Sequence, residues 1–149
     1  MENPPTQPPN QPPTQPNGVY ALTTRSISIS VEPEFLVEHS APADHRYVWA
    51  YHVSIENLGS ETVQLKSRYW HITDEHGIVQ EVTGDGVVGE QPVLGPGDCF
   101  DYSSGTPLTT ASGMMHGHYV METEAGERFM ASIPVFSLDS PDALKRFHS

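Results

Sequence analysis

The 149-residue sequence has little positive charge and a single cysteine, Cys99. Seven lysines and arginines stand against 19 aspartates and glutamates, which gives a formal net charge of −12 with neutral histidines. So acidic a chain repels nucleic acid and anionic membrane surfaces, and we expect neither as a partner. One cysteine excludes an intramolecular disulfide and fits a reducing compartment.

Targeting signals and long apolar runs are missing as well. The stretch from Met1 to Pro4 has neither the charged nor the apolar region of a secretory signal. No apolar run approaches the length that crosses a bilayer. We therefore expect a cytoplasmic protein without direct membrane insertion.

Residues 1–17 differ in composition from the rest of the chain. They hold seven of the 14 prolines, in an imperfect repeat of Pro-Pro-Thr-Gln. So few apolar residues predict a disordered Pro/Gln-rich leader, either simply solvated or a ligand for a proline-binding module. Residues 18–149 are predicted to form one domain.

Helical periodicity is nearly absent from residues 18–149, and only residues 140–145 resemble a helix, with Ser140 as N-cap. Period-two alternation dominates instead and predicts about seven to eight strands in an antiparallel β-sandwich, with Trp49 or Trp70 between the sheets. Pro33 favours an edge strand. The apolar parity changes between Leu65 and Trp70, which indicates a bulge or a strand buried on both faces.

A Gly-x-Gly-x-x-Gly pattern occupies Gly84, Asp85, Gly86, Val87, Val88 and Gly89. In dinucleotide-binding folds the third glycine opens a helix, but Pro92 follows here without a helical period. The glycines either form a backbone nest for an anion or supply positive φ angles to a bulged strand connection. Because Asp85 and Glu90 oppose a phosphate, the first alternative calls for a bridging divalent cation.

His116 and His118 lie two residues apart and share one face of a strand. This spacing binds zinc, cobalt or nickel if a third ligand arrives from a neighbour such as Glu122 or Asp101. The alternative is a pair of exposed, solvated histidines. Four methionines in neighbouring strands present a similar choice between an adaptable binding surface and core: Met114, Met115, Met121 and Met130.

Catalytic patterns do not stand out. The sequence shows no serine–histidine–aspartate arrangement and no paired carboxylates of the catalytic kind. Cys99 lies beside Asp98 and Asp101, which raise a thiol pKa, and its position suggests a small core residue. We expect no enzyme and no resident cofactor, a divalent cation being the one candidate.

A series of short motifs covers roughly residues 20–140 in a fixed order. They are Ser67-Arg68-Tyr69-Trp70-His71-Ile72-Thr73-Asp74, Gly84-x-Gly86-Val87-Val88-Gly89-Glu90-Gln91-Pro92, Leu94-x-Pro96-Gly97, Tyr102-x-Ser104-Gly105, Gly113-x-Met115-x-Gly117-x-Tyr119-x-Met121 and Ile133-Pro134-x-Phe136-x-Leu138. In this combination the chain resembles the ApaG family. One departure is Asp85, where many relatives have proline.

The resemblance implies an immunoglobulin-like or fibronectin type III-like sandwich. Related domains in eukaryotic F-box proteins and in a polymerase-δ-interacting protein look like protein-interaction modules, and bacterial members are described as associated with cobalt and magnesium efflux. The family's glycine motif has been suggested to bind pyrophosphate or nucleotides. We therefore expect a non-catalytic module that binds a protein and is linked to divalent-cation homeostasis. The alternatives are a nucleotide or pyrophosphate binder that uses Gly84–Gly89 and, third, a metal-responsive protein that uses His116 and His118.

Overall fold

The computed structural model describes residues 18–148, so the leader predicted for residues 1–17 lies outside the described residues. The alternating pattern forms nine strands in two antiparallel sheets. The bounds are β1 Tyr20–Thr24, β2 Ile27–Phe35, β3 Tyr47–Asn57, β4 Val63–Asp74, β5 Val79–Asp85, β6 Val93–Leu94, β7 Cys99–Leu108, β8 Ser112–Thr123 and β9 Arg128–Asp139. The predicted immunoglobulin-like or fibronectin type III-like β-sandwich is confirmed.

The two sheets differ in strand order. Sheet I has the order β1–β2–β3–β7, and sheet II has the order β5–β4–β8–β9. The short strand β6 pairs with the beginning of β4, on the edge where β5 pairs further along the same strand. The segment that holds the last two glycines of the motif therefore connects two strands on one edge of sheet II.

Apolar side chains from both inner faces fill the space between the sheets. Trp49 of sheet I and Trp70 of sheet II are both fully buried, as predicted. The ring of Trp70 lies 4.9 Å from Tyr51, measured between centroids, and packs edge-on against Phe136. The contact with Tyr51 joins the two sheets, and the contact with Phe136 packs Trp70 within sheet II. Both bury apolar surface, the main favourable term in folding.

The edge-strand prediction for β2 is wrong for most of its length. β2 lies between β1 and β3, but β1 pairs only with Ile27–Val31. Pro33 lies beyond that pairing. No strand adjoins it on the β1 side, so the missing N–H of proline costs no hydrogen bond to β1. The sequence signal was therefore local, and it marks the part of β2 where β1 has ended.

The parity change in β4 is a β-bulge. The register with β8 shifts between Leu65 and Ser67, so Lys66 is the extra residue. After the bulge, Arg68 takes the inward parity that it shares with Trp70, whereas Tyr69 points outward. The bulge thus decides which side chains of the Ser67–Asp74 motif reach the outer face.

Buried Asn57 connects the two sheets at the end of β3. Its amide nitrogen donates to the carbonyl oxygens of Glu61 and Leu94, and its amide oxygen accepts from the N–H of Gly59. The Asn57 backbone also bonds to Asp98 and Gly97. One buried amide therefore fixes the turn after β3 to strand β6 of sheet II.

A short C-terminal helix, α1 Pro141–His148, follows β9. The N–H of Ala143 donates to the hydroxyl of Ser140, which confirms Ser140 as the N-cap. Two single-turn 3-10 segments, Val37–His39 and Pro42–Asp44, join β2 to β3. Across residues 18–148 the helices are all too short or too polar to span a membrane.

Candidate functional site

The outer face of sheet II carries an array of rings. Cross-strand register places His71 of β4 beside His116 of β8, and Tyr69 beside His118. We call this surface, defined by Tyr69, His71, His116 and His118, the ring face. All four side chains are partly buried, although they point away from the core.

The rings of this face stack in two pairs. His71 and His116 have centroids 4.5 Å apart, and Tyr69 and His118 have centroids 5.1 Å apart, each pair with an interplanar angle of 23°. The hydroxyl of Tyr69 donates to Glu81 of β5 at 2.7 Å, and this hydrogen bond raises the pKa of Tyr69. Burial, and then the charge of His71, lower the pKa of His116. Neighbouring rings thus hold one another in fixed orientations.

Methionines extend the ring face at both ends. Met114 and Met130 are exposed, at 44% and 59%, whereas Met115 and Met121 are fully buried in the core. Met114 lies opposite Thr73, and Met130 lies opposite Val120. The core alternative is therefore confirmed for Met115 and Met121, whereas a binding surface at the exposed Met114 and Met130 stays a prediction.

The neighbours of His116 and His118 differ from those expected for a third metal ligand. Glu122 lies further along β8 and forms an ion pair with Arg128, and Asp101 lies on β7 of the other sheet. Among residues 18–148, no group of three or more histidine, cysteine or carboxylate side chains is arranged to hold a metal ion. The histidine metal site stays a prediction, with His71 as the nearest additional imidazole.

Val88 and the last glycine of the motif, Gly89, form a tight turn. Val88 and Gly89 have φ angles of 43° and 81°, between Val87 and Glu90, whose backbones bond to each other in both directions. Two consecutive positive φ angles define a type I′ turn. Valine is an unusual residue for such a conformation, so Val88 is strained. The fully buried Val87 packs the turn onto the core.

Close approach of the backbone requires a glycine at Gly86, whereas Gly84 lies against the end of the Arg68 side chain. A Cβ on Gly84 would lie 2.8 Å from the guanidinium nitrogens of Arg68, and one on Gly86 would lie 2.2 Å from the Glu90 carbonyl oxygen. Arg68 also donates to the carbonyl oxygens of Asp85 and Gly86. The presence of glycine at this part of the motif is therefore explained by the contacts of the loop, independently of any ligand.

Several backbone N–H groups of this loop are already engaged. Gly86 donates to Lys66, and Val87 and Glu90 donate to each other's carbonyls. Within residues 18–148, the amides of Val88 and Gly89 have no backbone acceptor. Two amides at the tip of the turn are thus what the loop offers an anion.

Arg68 brings a positive charge under this loop. It is partly buried and, within the described part of the chain, forms no ion pair with a carboxylate. Burial raises the pKa of Tyr51, Tyr102 and Tyr119, and the nearby charge of Arg68 acts in the opposite direction. The hydroxyls of Tyr102 and Tyr119 are hydrogen-bonded to each other across the two sheets.

The outer face of sheet I has a different composition, and we call it the serine face. It is defined by four serines, with exposed carboxylates between them: Ser28, Ser30, Ser54 and Ser103. His52 contacts Ser103 through Nδ1 at 2.6 Å and Glu34 through Nε2 at 2.9 Å. Serine, histidine and carboxylate are therefore linked by hydrogen bonds, an arrangement that no sequence pattern predicted.

The hydrogen-bonded series Glu34–His52–Ser103 lacks the burial of a catalytic triad. The side chains of Glu34 and His52 are 58% and 40% exposed, whereas the acid of a triad is buried and holds the imidazole in place. Solvent therefore competes with both hydrogen bonds.

Cys99, predicted to be a small core residue, is instead exposed on the same face. Its bond to Ser54 lowers the thiol pKa, but burial and the bond to Asp101 outweigh it, so the pKa is raised. The neighbouring residue Phe100 packs against the core instead. The inward positions of β7 therefore differ by one residue from those predicted.

Sequence reasoning missed Tyr69, His71 and Arg68. Tyr69 and His71 share one parity of β4, and His116 and His118 share one parity of β8. Two strands with rings at alternate positions were the available signal, but the pairing of β4 with β8 could not be read from sequence. Arg68 was concealed by the bulge at Lys66, which reverses the parity.

Comparison with known proteins gives a consistent result. A family model described as the ApaG domain matches residues 37–123. A protein from Parvibaculum lavamentivorans named Protein ApaG is 58% identical over 130 residues, which is 87% of this chain and 100% of that protein. A protein of the same name from Rhodospirillum centenum is 59% identical and covers 86% of this chain and 98% of its own length.

Solved structures agree with the fold. The crystal structure of a Bordetella pertussis protein described as ApaA is 47% identical, has a TM-score of 0.76 and covers 77% of this chain and 94% of its own. A structural-genomics target solved by X-ray crystallography is 40% identical, has a TM-score of 0.73 and covers 79% of this chain and 89% of its own. The similarity therefore extends over nearly the whole of these relatives.

Proposed function

Because this chain belongs to the ApaG domain family, we propose that it is a non-catalytic module that binds a protein partner through the ring face. One observation supports the proposal above others: two stacked ring pairs stand on the outside of a sheet, where the sandwich does not need them for its core. Such rings gain from being covered.

The composition of the ring face matches that of the centre of a protein interface. Such centres are rich in aromatic residues and methionine and poor in charged residues. Between Met114 and Met130, the outward positions of β8 are His116, His118 and Val120. Because the rings are already stacked, little side-chain freedom remains to be lost on binding.

The absence of catalysis is part of this proposal. The Glu34–His52–Ser103 chain is solvated, and Cys99 has a raised pKa, so neither offers an activated nucleophile. The cytoplasmic location and the link to cobalt and magnesium homeostasis belong to the same proposal. Any effect on these ions would then act through the partner.

Site-specific photo-crosslinking tests the proposal. The full chain receives a photoreactive residue in place of Val120 on the ring face or of Ser54 on the serine face, and is irradiated in an extract of the cells that make it. We expect a saturable adduct from position 120 that unlabelled chain competes away. It should be lost with Tyr69→Ala and His118→Ala and retained with Ser103→Ala.

The variants separate binding from folding. Tyr69 and His118 lie outside the core, so each variant should keep the wild-type circular dichroism spectrum and unfolding midpoint. Equal adducts from positions 120 and 54, or adducts untouched by Tyr69→Ala and His118→Ala, would refute a specific role of the ring face.

A second candidate is a pyrophosphate or nucleotide bound by the Gly84–Gly89 loop with a bridging divalent cation. The free amides of Val88 and Gly89 and the unpaired charge of Arg68 favour it. In an amide NMR titration with pyrophosphate or ATP, with and without magnesium or cobalt, it predicts saturable shifts at Val88 and Gly89. Gly77 and Gly126, which also sit in open turns with positive φ, serve as internal controls. Equal shifts at the controls would exclude the site.

A further inference from the structure

The ring face ends in a cavity with acidic walls. The cavity has a volume of about 550 Å³, within the range of small-ligand pockets. Its lining residues are Thr73, Asp74, Glu75, Ser112, Gly113, Met114, Ser137 and Asp139. Among the described lining residues, three are carboxylates and none is basic, which places negative charge at one end of the proposed interface.

The backbone of this cavity is closely packed. Gly113 of β8 lies between Asp74 of β4 and Leu138 of β9 in the sheet register. A Cβ there would come within 2.9 Å of the Thr73 carbonyl oxygen and of a Leu108 methyl group. Because Gly113 has no side chain, β4 and Leu108 of β7 can approach β8 closely at this point. The exposed Met114 supplies an apolar wall.

The carboxylates occupy defined places around the cavity. Asp74 accepts hydrogen bonds from the N–H groups of His76 and Ile78 through one oxygen, so its orientation is fixed by the turn before β5. Asp139 ends β9 and lies opposite Ser112. None of the ion pairs among the described residues uses Asp74 or Asp139.

Ser112 lines the cavity and carries a buried hydroxyl that has no hydrogen-bond partner among the described residues. A buried polar group without a partner is costly, and such a group is normally satisfied by protein, water or ligand. Because this oxygen is buried, it is not open to the cavity, and the case for a ligand rests on the carboxylates and the apolar wall.

We propose that this cavity receives an arginine side chain of the protein partner. The wall is mostly carbon, with carboxylates beside it, which suits an aliphatic stem that ends in a charged planar group. A guanidinium has five donors in a rigid fork and can engage more than one carboxylate at once. The inference names a feature of the partner, and therefore depends on the proposed function.

The test is an amide NMR titration of the full chain with the tripeptide Ac-Ala-Arg-Ala-NH2. The neutral isostere Ac-Ala-citrulline-Ala-NH2 and the peptide Ac-Ala-Lys-Ala-NH2 are the comparisons. Saturable shifts should centre on Ser112, Gly113 and Met114 with arginine, be weaker with lysine and be absent with citrulline. Asp139→Asn should weaken arginine binding about fivefold, the effect of one exposed charged pair.

Asp101→Asn on the serine face is the matched control, because it removes the same charge from the other sheet and should leave the affinity unchanged. Equal binding of citrulline would overturn recognition by charge, and equal binding of lysine would overturn the assignment to arginine. Shifts spread over the acidic surface would do the same. If Asp139→Asn disturbs the spectrum beyond β9, the citrulline comparison decides, since it changes the probe alone.

The two proposals fail in different ways. If the cavity does not select arginine, crosslinking from position 120 that depends on Tyr69 still stands. If crosslinking shows no preference for the ring face while the peptide binds as expected, the cavity is a cation site without the proposed interface.

Discussion

The ring face and the serine face lie on opposite sides of one sandwich and are built from strands of similar length. On the ring face, Tyr69, His71, His116 and His118 stack in pairs. On the serine face, short hydroxyls and carboxylates alternate across β2, β3 and β7. Backbone hydrogen bonding is the same kind in both sheets and does not dictate the outward side chains. The difference between the faces therefore lies in the side chains alone.

The contrast between the two faces bears on the proposed partner surface. A face that only meets water needs small or charged side chains, as the serine face has. Large rings outside the core contribute little to the sandwich itself, and they gain free energy when a partner covers them. The difference therefore supports an interface on sheet II, and three changes test how far the two sheets differ.

The largest expected effect is at Gly117, in the middle of sheet II. A Cβ there would lie 2.0 Å from the Tyr69 carbonyl oxygen, so Gly117→Ala should lower the free energy of unfolding by about 3 kcal/mol. Gly105→Ala in sheet I is the control, because its Cβ would lie 3.0 Å from the Trp49 carbonyl oxygen and should cost about 1 kcal/mol. Urea midpoints at constant slope measure both. If both variants lost the same free energy of unfolding, sheet II would not be more tightly packed at Gly117 than sheet I is at Gly105.

Gly86→Ala should have an intermediate effect. Its φ of 62° is unfavourable for alanine, and the new Cβ would approach the Glu90 carbonyl oxygen, so we expect a loss of about 2 kcal/mol. Gly97→Ala, before β7 of sheet I, has a similar φ of 83° but open space, and should cost about 1 kcal/mol. The same urea experiment compares them. Loss of ligand binding by a Gly86 variant would therefore say little about a phosphate site, unless folding is measured alongside.

The smallest effect concerns pH. Burial and the charge of His71 lower the pKa of His116 in the folded protein, so below the unfolded value of about 6.5 the unfolded state binds more protons. This group therefore makes stability fall as pH drops through that range. His116→Gln should flatten the dependence of the unfolding midpoint on pH between about 7 and 5. His52→Gln on the serine face is the control, because it leaves the His71–His116 stack in place. If His52→Gln flattened the pH dependence of the unfolding midpoint and His116→Gln did not, the assignment of this dependence to His116 would be wrong.

Sequence periodicity was sufficient for the architecture, because inner positions such as Trp49 and Trp70 must be apolar in any two-layer sheet. The bulge in β4 and the cap at Ser140 were visible for the same reason, since both are local. Neighbours in space were not visible. That His71 meets His116, and that Arg68 lies under Gly84, depends on strand order and on a one-residue shift of register.

The site also shows why local patterns gave open alternatives. A glycine motif looks the same whether its amides face a phosphate or its own carbonyls, and only the geometry shows Gly86 bonded to Lys66. Cys99 was misplaced because a single polar strand leaves its parity undetermined, whereas its neighbour Phe100 packs against the core.

The buried amide of Asn57 has a mechanical consequence. By joining the end of β3 to β6, it ties the two sheets together at that end through hydrogen bonds. A force that pulls the two faces apart would therefore load these hydrogen bonds at this end of the sandwich.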